Sequence, residues 1–347
     1  MIRFSVIVPV YNAEKTIERT LASFISSKDY IQEVILIDDG STDNTFEKID
    51  YFEHFFDIVV VENNKNKGPG PSRRAGLMVA SANWVTFVDA DDCLVSGSLK
   101  YVSKKIEESK GIVLLHSQTI YYESGDFNPM TIGHSDSSCG GNFYKREYLI
   151  DHNLLPHESL YMAEDEYFNE IIQLYIENIE TNGRELIAYY DFPVYEVHHD
   201  IDEGLSFALG NWAEYICKYH MLYKEYVIEY FKDRPEMKDT LMTDYINNLI
   251  FGYFLLEGIM MDDDVEVDYI AAVKRFHRAV NVFERYFKKN RSYIVEYFYA
   301  DEFRRNGFLM SAWQSIGFTF EDYMSFDEFI DKLDYYPCGR ENPRFQP

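Results

Sequence analysis

Trp84-Val85-Thr86-Phe87-Val88-Asp89-Ala90-Asp91-Asp92 is an apolar strand that empties into three carboxylates, with one small residue between the first two. Side chains at i and i+2 of extended backbone point the same way, so Asp89 and Asp91 can face one hard cation together. Carboxylates this close repel one another unless positive charge sits among them, and a divalent ion that also holds a diphosphate meets that need. Acidic clusters after strands also occur as ordinary solvated turns. The triplet therefore has to be read with its surroundings.

Upstream, Phe4–Val10, Gln32–Asp38 and Ile58–Glu62 are further short apolar or β-branched runs. Between them and Trp84–Val88 lie helical patterns at Glu14–Ser26, Thr42–Phe52 and Ser72–Ala82. Strands alternating with helices predict an α/β fold: a mixed, mostly parallel sheet with helices on both faces. Ligands of such sheets bind beyond the carboxyl ends of the strands, and Tyr11, Asp39 and Asp89 all fall at strand ends.

Downstream, the spacing predicts a helix over Gly97–Ser109, a strand over Ile112–Tyr122 and a polar loop over Glu123–Cys139, long enough for a lid or an acceptor-binding element. Gly140-Gly141-Asn142-Phe143-Tyr144-Lys145 reads as a strand whose paired glycines either let backbone approach a sugar or simply make a turn. Met162 to Asn178 is a helix with Glu164, Asp165 and Glu166 in its first turn, where acids also suit the helix dipole. After about Phe207 the texture becomes Tyr- and Phe-rich at helical spacing, over Trp212–Lys232, Glu236–Met261, Asp268–Asn290, Ser292–Arg304 and Asp322–Leu333. Residues 208–347 are expected to form a helical accessory domain whose aromatic stripe is core first and sugar-binding surface second.

The 347 residues carry a formal charge of −26, which opposes attraction to nucleic acid. Four scattered cysteines are too few for a disulfide framework and too dispersed for a metal knuckle. The start of the chain lacks a basic leader, and the most apolar stretch, Leu249 to Leu256, is too short to cross a bilayer. These features predict a cytoplasmic protein without a transmembrane segment. Peripheral association with the inner membrane face and pairing of two copies through the C-terminal helices are both compatible with them.

Four segments occur in a telling order: Val6-Ile7-Val8-Pro9-Val10-Tyr11-Asn12, Val34-Ile35-Leu36-Ile37-Asp38-Asp39-Gly40-Ser41, Asn66-Lys67-Gly68 with Ser72-Arg73-Arg74-Ala75-Gly76, and Phe87 to Asp92. Together they resemble the inverting glycosyltransferases of family 2, of the type that builds bacterial or phage envelope glycans, over roughly residues 3 to 207. The resemblance implies a GT-A catalytic domain at 1–207, with a nucleotide-sugar half to about residue 95 and an acceptor half from about residue 96.

It further implies a UDP-sugar donor, a glycan, polysaccharide or lipid-linked acceptor, and Mn²⁺ or Mg²⁺ as cofactor. Asp91 and Asp89 would hold the metal, joined by His198, which is preferred here over His199. Asp39 would accept the base N3–H, Tyr11 would lie against the base, and Pro9, Glu14, Ala90 and Gly141 would complete the nucleotide-sugar pocket. Arg73 would meet the nucleotide or diphosphate. Arg74 stands where the family has asparagine, and Gly70-Pro71 predicts a late helix start, which would let Arg74 take over that role. Asp165 would be the general base and Glu164 would hold the acceptor. Two other readings share these residues: a nucleotidyltransferase, which usually has a glycine-rich basic N-terminal loop that Tyr11-Asn12-Ala13-Glu14-Lys15 is not, and a nucleotide-sugar binder without turnover.

Overall fold

The structure, a computed structural model, describes residues 1–123, 130–134, 138–180, 183–199, 221–237 and 240–241. The chain divides into two compact units, Met1–Gly204 and Leu205–Pro347.

In the first unit β1 (Phe4–Val10), β2 (Ile31–Asp38), β3 (Ile58–Glu62) and β4 (Trp84–Phe87) run parallel in the order β3-β2-β1-β4. They continue through β8 (Asn142–Lys145), β6 (Leu114–Glu123), β9 (Ile187–His199) and β5 (Cys93–Leu94), while β7 (Met130–His134) also pairs with β6. Among the described residues this is one nine-stranded sheet. The strands β5, β7 and β8 oppose the common direction.

Alternation along β1 explains the layers. Val6, Val8 and Val10 join Ile17, Leu21 and Phe24 of α1 (Ile17–Phe24) and Leu99 and Val102 of α3 (Ser98–Glu108) in one core. Ile7 points to the other face, where Gly76 of α2 (Pro69–Val79) lies so close that an added Cβ would come within 2.3 Å of Ile7 Cγ2. On that face Phe168 of α5 (Glu164–Asn178) packs edge-on against Phe87 and tilted against Tyr144. The expected α/β layout with helices on both faces is what forms.

Three local expectations need correction. Thr42–Phe52 makes two short 3₁₀ turns, Thr45–Lys48 and Asp50–His54, because Asp38, Asp43 and Asn12 side chains take the N–H groups of Ser41, Thr45 and Thr42. Such side-chain bonds compete with a helix. The helix containing Arg73 starts early, at Pro69, since a proline is tolerated in a first turn whose N–H groups have no partner in any case. Within Glu123–Cys139 the strand β7 pairs antiparallel with Gln118 to Tyr121; 124–129 and 135–137 lie outside the described residues.

A short helix, α4 (Arg146–Asp151), follows β8. In the second unit α6 (Met221–Phe231) is helical within the expected Trp212–Lys232. The expected helices beyond residue 241 lie outside the described residues.

Candidate active site

The ends of β1 and β2 make one wall. Tyr11 stands 49% exposed just beyond β1, next to Asn12, whose φ of 50° is a left-handed turn conformation. Pro9 lies inside β1 opposite Ile37, and Glu14 turns to Asn44, accepting from its backbone and side-chain nitrogens at 3.4 Å. Asp39 is buried, and its carboxylate accepts from the backbone N–H of Lys67 (2.9 Å) and Gly68 (2.7 Å) and from Asn63 Nδ2 (2.9 Å). The residue expected to read the base thus clamps the 63–68 loop as well. Gly40, with φ of 83°, is needed here because a Cβ would lie 3.2 Å from the backbone of Lys65 and Asn66.

The centre is an ion-pair bridge. Arg73 on α2 is 6% exposed and donates through Nη2 to Asp89 Oδ1 at 2.7 Å and through Nη1 to Glu164 Oε1. Burial works against the guanidinium charge, but Asp89 and Glu164 outweigh it and hold the group protonated well above its usual range. Arg74 turns the other way, to Glu158 at 3.0 Å. Of the two arginines, Arg73 is the one paired with Asp89 and Glu164.

Asp165 follows Glu164 in the first turn of α5, partly accessible, with Oδ1 accepting its neighbour Glu166 N–H at 2.9 Å. Burial pushes its carboxyl well above the ordinary aspartate range, with Glu164, Glu166 and Asp89 adding to the rise and Arg73 opposing it. Glu164 is also raised, by burial against the pull of Arg73. Asn169, one turn on, donates to Asp165 O at 3.0 Å and accepts from Tyr144 OH at 2.7 Å, which ties α5 to β8.

The aspartate turn is held from behind by Tyr195 of β9. Its hydroxyl donates to Asp92 Oδ2 at 2.8 Å and accepts from Asp89 N–H at 3.1 Å. Asp92 also takes His198 N–H at 2.9 Å, so it braces the turn onto β9; its carboxyl is raised by burial and by Asp89 and Asp91. Ala90 O and Asp91 O accept from Thr20 and Arg19 of α1, leaving the chain between Asp89 and Asp92 pinned on both sides.

The paired glycines serve a protein contact. A Cβ on Gly140 would sit 2.5 Å from the Tyr195 ring, and one on Gly141 would sit 3.1 Å from Ser117 Oγ. Gly141, expected at the sugar, makes room for Tyr195 and Ser117.

His198 is likewise placed differently from its expected role. Its imidazole lies 3.5 Å from Glu196 Oε2 and stacks on Tyr122, and its backbone N–H donates to Asp92 of the aspartate turn. Strand alternation puts 196 and 198 on one face of β9 and 195 and 197 on the other. Tyr195 and Tyr121 mark the second face as that of the site, since Tyr121 feels the charges of Asp92 and Asp165, whereas Tyr122 feels those of Glu196 and Cys93. Tyr195 and Tyr121 were missed in the sequence; only an alignment of β9 against the aspartate turn would have singled them out.

Residues 5–165 match the sequence model of glycosyl transferase family 2. This segment is a family 2 glycosyltransferase domain. The poly(ribitol-phosphate) β-N-acetylglucosaminyltransferase TarS of Staphylococcus aureus (strain Mu50 / ATCC 700699) is 37% identical over 119 residues, 33% of this chain and 21% of that protein. Glycosyltransferase GlyA of Streptococcus pneumoniae serotype 4 is 29% identical over 163 residues, 47% of this chain and 22% of that protein. The chain thus spans about a fifth of the length of these curated relatives. Among solved structures, residues 1–349 of S. aureus TarS in complex with UDP-GlcNAc superpose with a TM-score of 0.61 at 24% identity, over 81% of this chain and 83% of that one. The family 2 domain has the GT-A fold of these enzymes.

Proposed function

We propose that the chain is a metal-dependent inverting glycosyltransferase that moves a sugar from a UDP-sugar to a hydroxyl of a cell-envelope glycan. The observation that carries this reading is the single network Asp89–Arg73–Glu164, with Asp165 adjoining, beyond the carboxyl end of β4. It supports a metal-type role for Asp89 and a base-type role for Asp165 close together, as transfer between a diphosphate and a hydroxyl requires. The family match and the TarS complex support the donor class. The names of the relatives support an envelope polymer as acceptor. The reaction would then lie on the cytoplasmic side, at the inner membrane face where the acceptor is lipid-linked. Among the described residues no helix is long and apolar enough to cross a membrane.

The donor set suits Mg²⁺ or Mn²⁺: Asp89 is 44% exposed with Oδ1 on Arg73, Asp91 is partly accessible, and both offer oxygen. When bound, the ion would offset the charge that grows on the departing diphosphate. Arg73 pairs with both Asp89 and Glu164 and fixes their positions. Asp39 holds the 63–68 loop beside the uracil site, with Tyr11 available to cover the base. A carboxylate acceptor at Asp39 favours uracil over cytosine, whose N3 carries no hydrogen.

Asp165 removes the acceptor proton, and its raised pKa brings it closer to the strength a base needs near neutral pH. Attack opposite the diphosphate needs one carboxylate and inverts the anomeric centre. Titration with UDP paired with transfer assays tests the reading. Asp165→Asn should keep UDP-sugar binding and lose about 10²–10⁴-fold in kcat. Asp91→Ala should weaken metal-dependent UDP binding too. Undiminished transfer by the Asn variant would remove the base assignment. A donor screen across UDP-glucose, UDP-galactose, their N-acetylated forms and UDP-glucuronate, reading released UDP, identifies the sugar.

A further inference from the structure

On the face of β9 turned away from the aspartates, three ligand types meet. Cys93 of β5 lies directly across from Glu196 in the antiparallel pair, and His198, two residues further along β9, shares that face. Cys93 Sγ, a Glu196 carboxylate oxygen and a His198 ring nitrogen all lie within 4.8 Å of one another, with Nε2 and Oε2 at 3.5 Å. The site is recessed but reachable: Cys93 is buried, whereas the Glu196 and His198 side chains are 23% and 18% exposed. The imidazole is held flat against Tyr122, with ring centroids 4.8 Å apart and planes 6° from parallel. On the third side α1 supplies Arg19, whose carbonyl is 3.9 Å from Sγ.

We propose that Cys93, Glu196 and His198 form a second metal site, separate from the aspartate centre, for a borderline divalent ion such as Zn²⁺. Tetrahedral zinc with nitrogen, oxygen and sulfur ligands separates its ligand atoms by roughly 3.3–3.8 Å, so a small side-chain rotation closes the triad. A mixed S, N, O set selects against Mg²⁺ and Mn²⁺, which prefer oxygen alone, and three protein ligands leave the fourth position for water. Metal binds the thiolate, so the incoming ion displaces the Sγ proton to solvent as the sulfur–metal bond forms. Because Cys93 directly follows Asp92, an ion tying it to Glu196 and His198 would brace the aspartate turn against β9 from the side opposite Tyr195.

Cobalt(II) titration of the metal-free full chain tests this independently of UDP binding or transfer. A thiolate-to-cobalt charge-transfer band with tetrahedral d–d bands is expected at one equivalent, displaced by Zn²⁺. The band should vanish in Cys93→Ser and persist in Asp91→Ala and in Cys139→Ser, which removes the other buried thiol among the described residues. His198→Ala and Glu196→Gln should each bind cobalt at least about tenfold more weakly. A wild-type chain without the band, or a band that survives Cys93→Ser, overturns the site. If Cys93→Ser does not fold, unchanged cobalt affinity in His198→Ala overturns it instead.

Discussion

Removing the cation between the two halves of the active site is the most informative perturbation, and Arg73→Met does so while keeping the length of the side chain. The wild-type side chain is 6% exposed, and its partners differ: Glu164 is 7% exposed and Asp89 is 44%. Breaking one partner from a buried pair costs about 3–5 kcal/mol, because the remaining charge is left without compensation. The half-exposed Asp89 adds under about 1 kcal/mol after solvent screening. A loss of about 3–5 kcal/mol at neutral pH follows, carried mainly by Glu164. For a unit the size of Met1–Gly204 that lowers Tm by roughly 6–20 °C.

The sign with pH is fixed by Glu164. Burial already raises its pKa and Arg73 pulls it back, so deleting Arg73 raises it further. A carboxyl whose folded pKa is raised supports the fold below its unfolded pKa, about 4.3, and loses that support as pH rises through the folded value. The gap between wild type and variant should therefore be widest at about pH 8 and narrow toward pH 5. Scanning calorimetry of wild type, Arg73→Met and Arg73→Met/Glu164→Gln at both pH values measures it. The double variant should recover at least half of the loss, since a neutral amide needs no counter-charge. A single variant within about 0.5 kcal/mol of wild type, a loss equal at both pH values, or a double variant no better than the single would refute the buried-charge account.

Transfer rate should climb with pH and level off above a pKa higher than that of an ordinary aspartate, because Asp165 must be deprotonated to act; UDP release measured from about pH 4 to about pH 9 should lose that limb in Asp165→Asn. Tyr195→Phe removes the hydroxyl shared by Asp92 and Asp89 N–H and should cost about 1–3 kcal/mol in urea unfolding, with an unchanged midpoint counting against the brace. Gly140→Ala drives a methyl to 2.5 Å from the Tyr195 ring and should destabilise by about 1–3 kcal/mol, unless the ring yields without cost, which thermal melting would reveal as an unshifted Tm.

The parallel half of the sheet was legible because its strands are near-continuous apolar runs. Phe4–Val10, buried on both faces, and the half-exposed Ile58–Glu62 at the end of the strand order both end at turn residues and form over those bounds. The same local reading made Thr42–Phe52 an α-helix, since periodicity does not count the side-chain hydrogen bonds of Asp38, Asp43 and Asn12 that claim its first N–H groups. It also passed over β7 and gave no hint that Cys93-Leu94 pairs with β9. Those pairings join positions about a hundred residues apart or lie inside a polar segment without alternation.

Placement of the carboxylates was readable in kind but not in partnership. Asp89, Glu164 and Asp165 gather as their positions at a strand end and a helix start suggest, yet the Arg73 bridge depends on α2 and α5 packing side by side on one face. The histidine shows why such partnerships escape local reading. In a strand the side-chain period is two, so a choice between adjacent residues is a choice between opposite faces of the sheet. His198 and His199 are indistinguishable by composition, and only the register that sets Cys93 against Glu196, and Thr119 against Tyr195, decides which face each position occupies. That register sends His198 to the cysteine. His198→Ala should therefore lose more cobalt–thiolate affinity than metal-dependent UDP affinity, and titration with both ligands measures the difference.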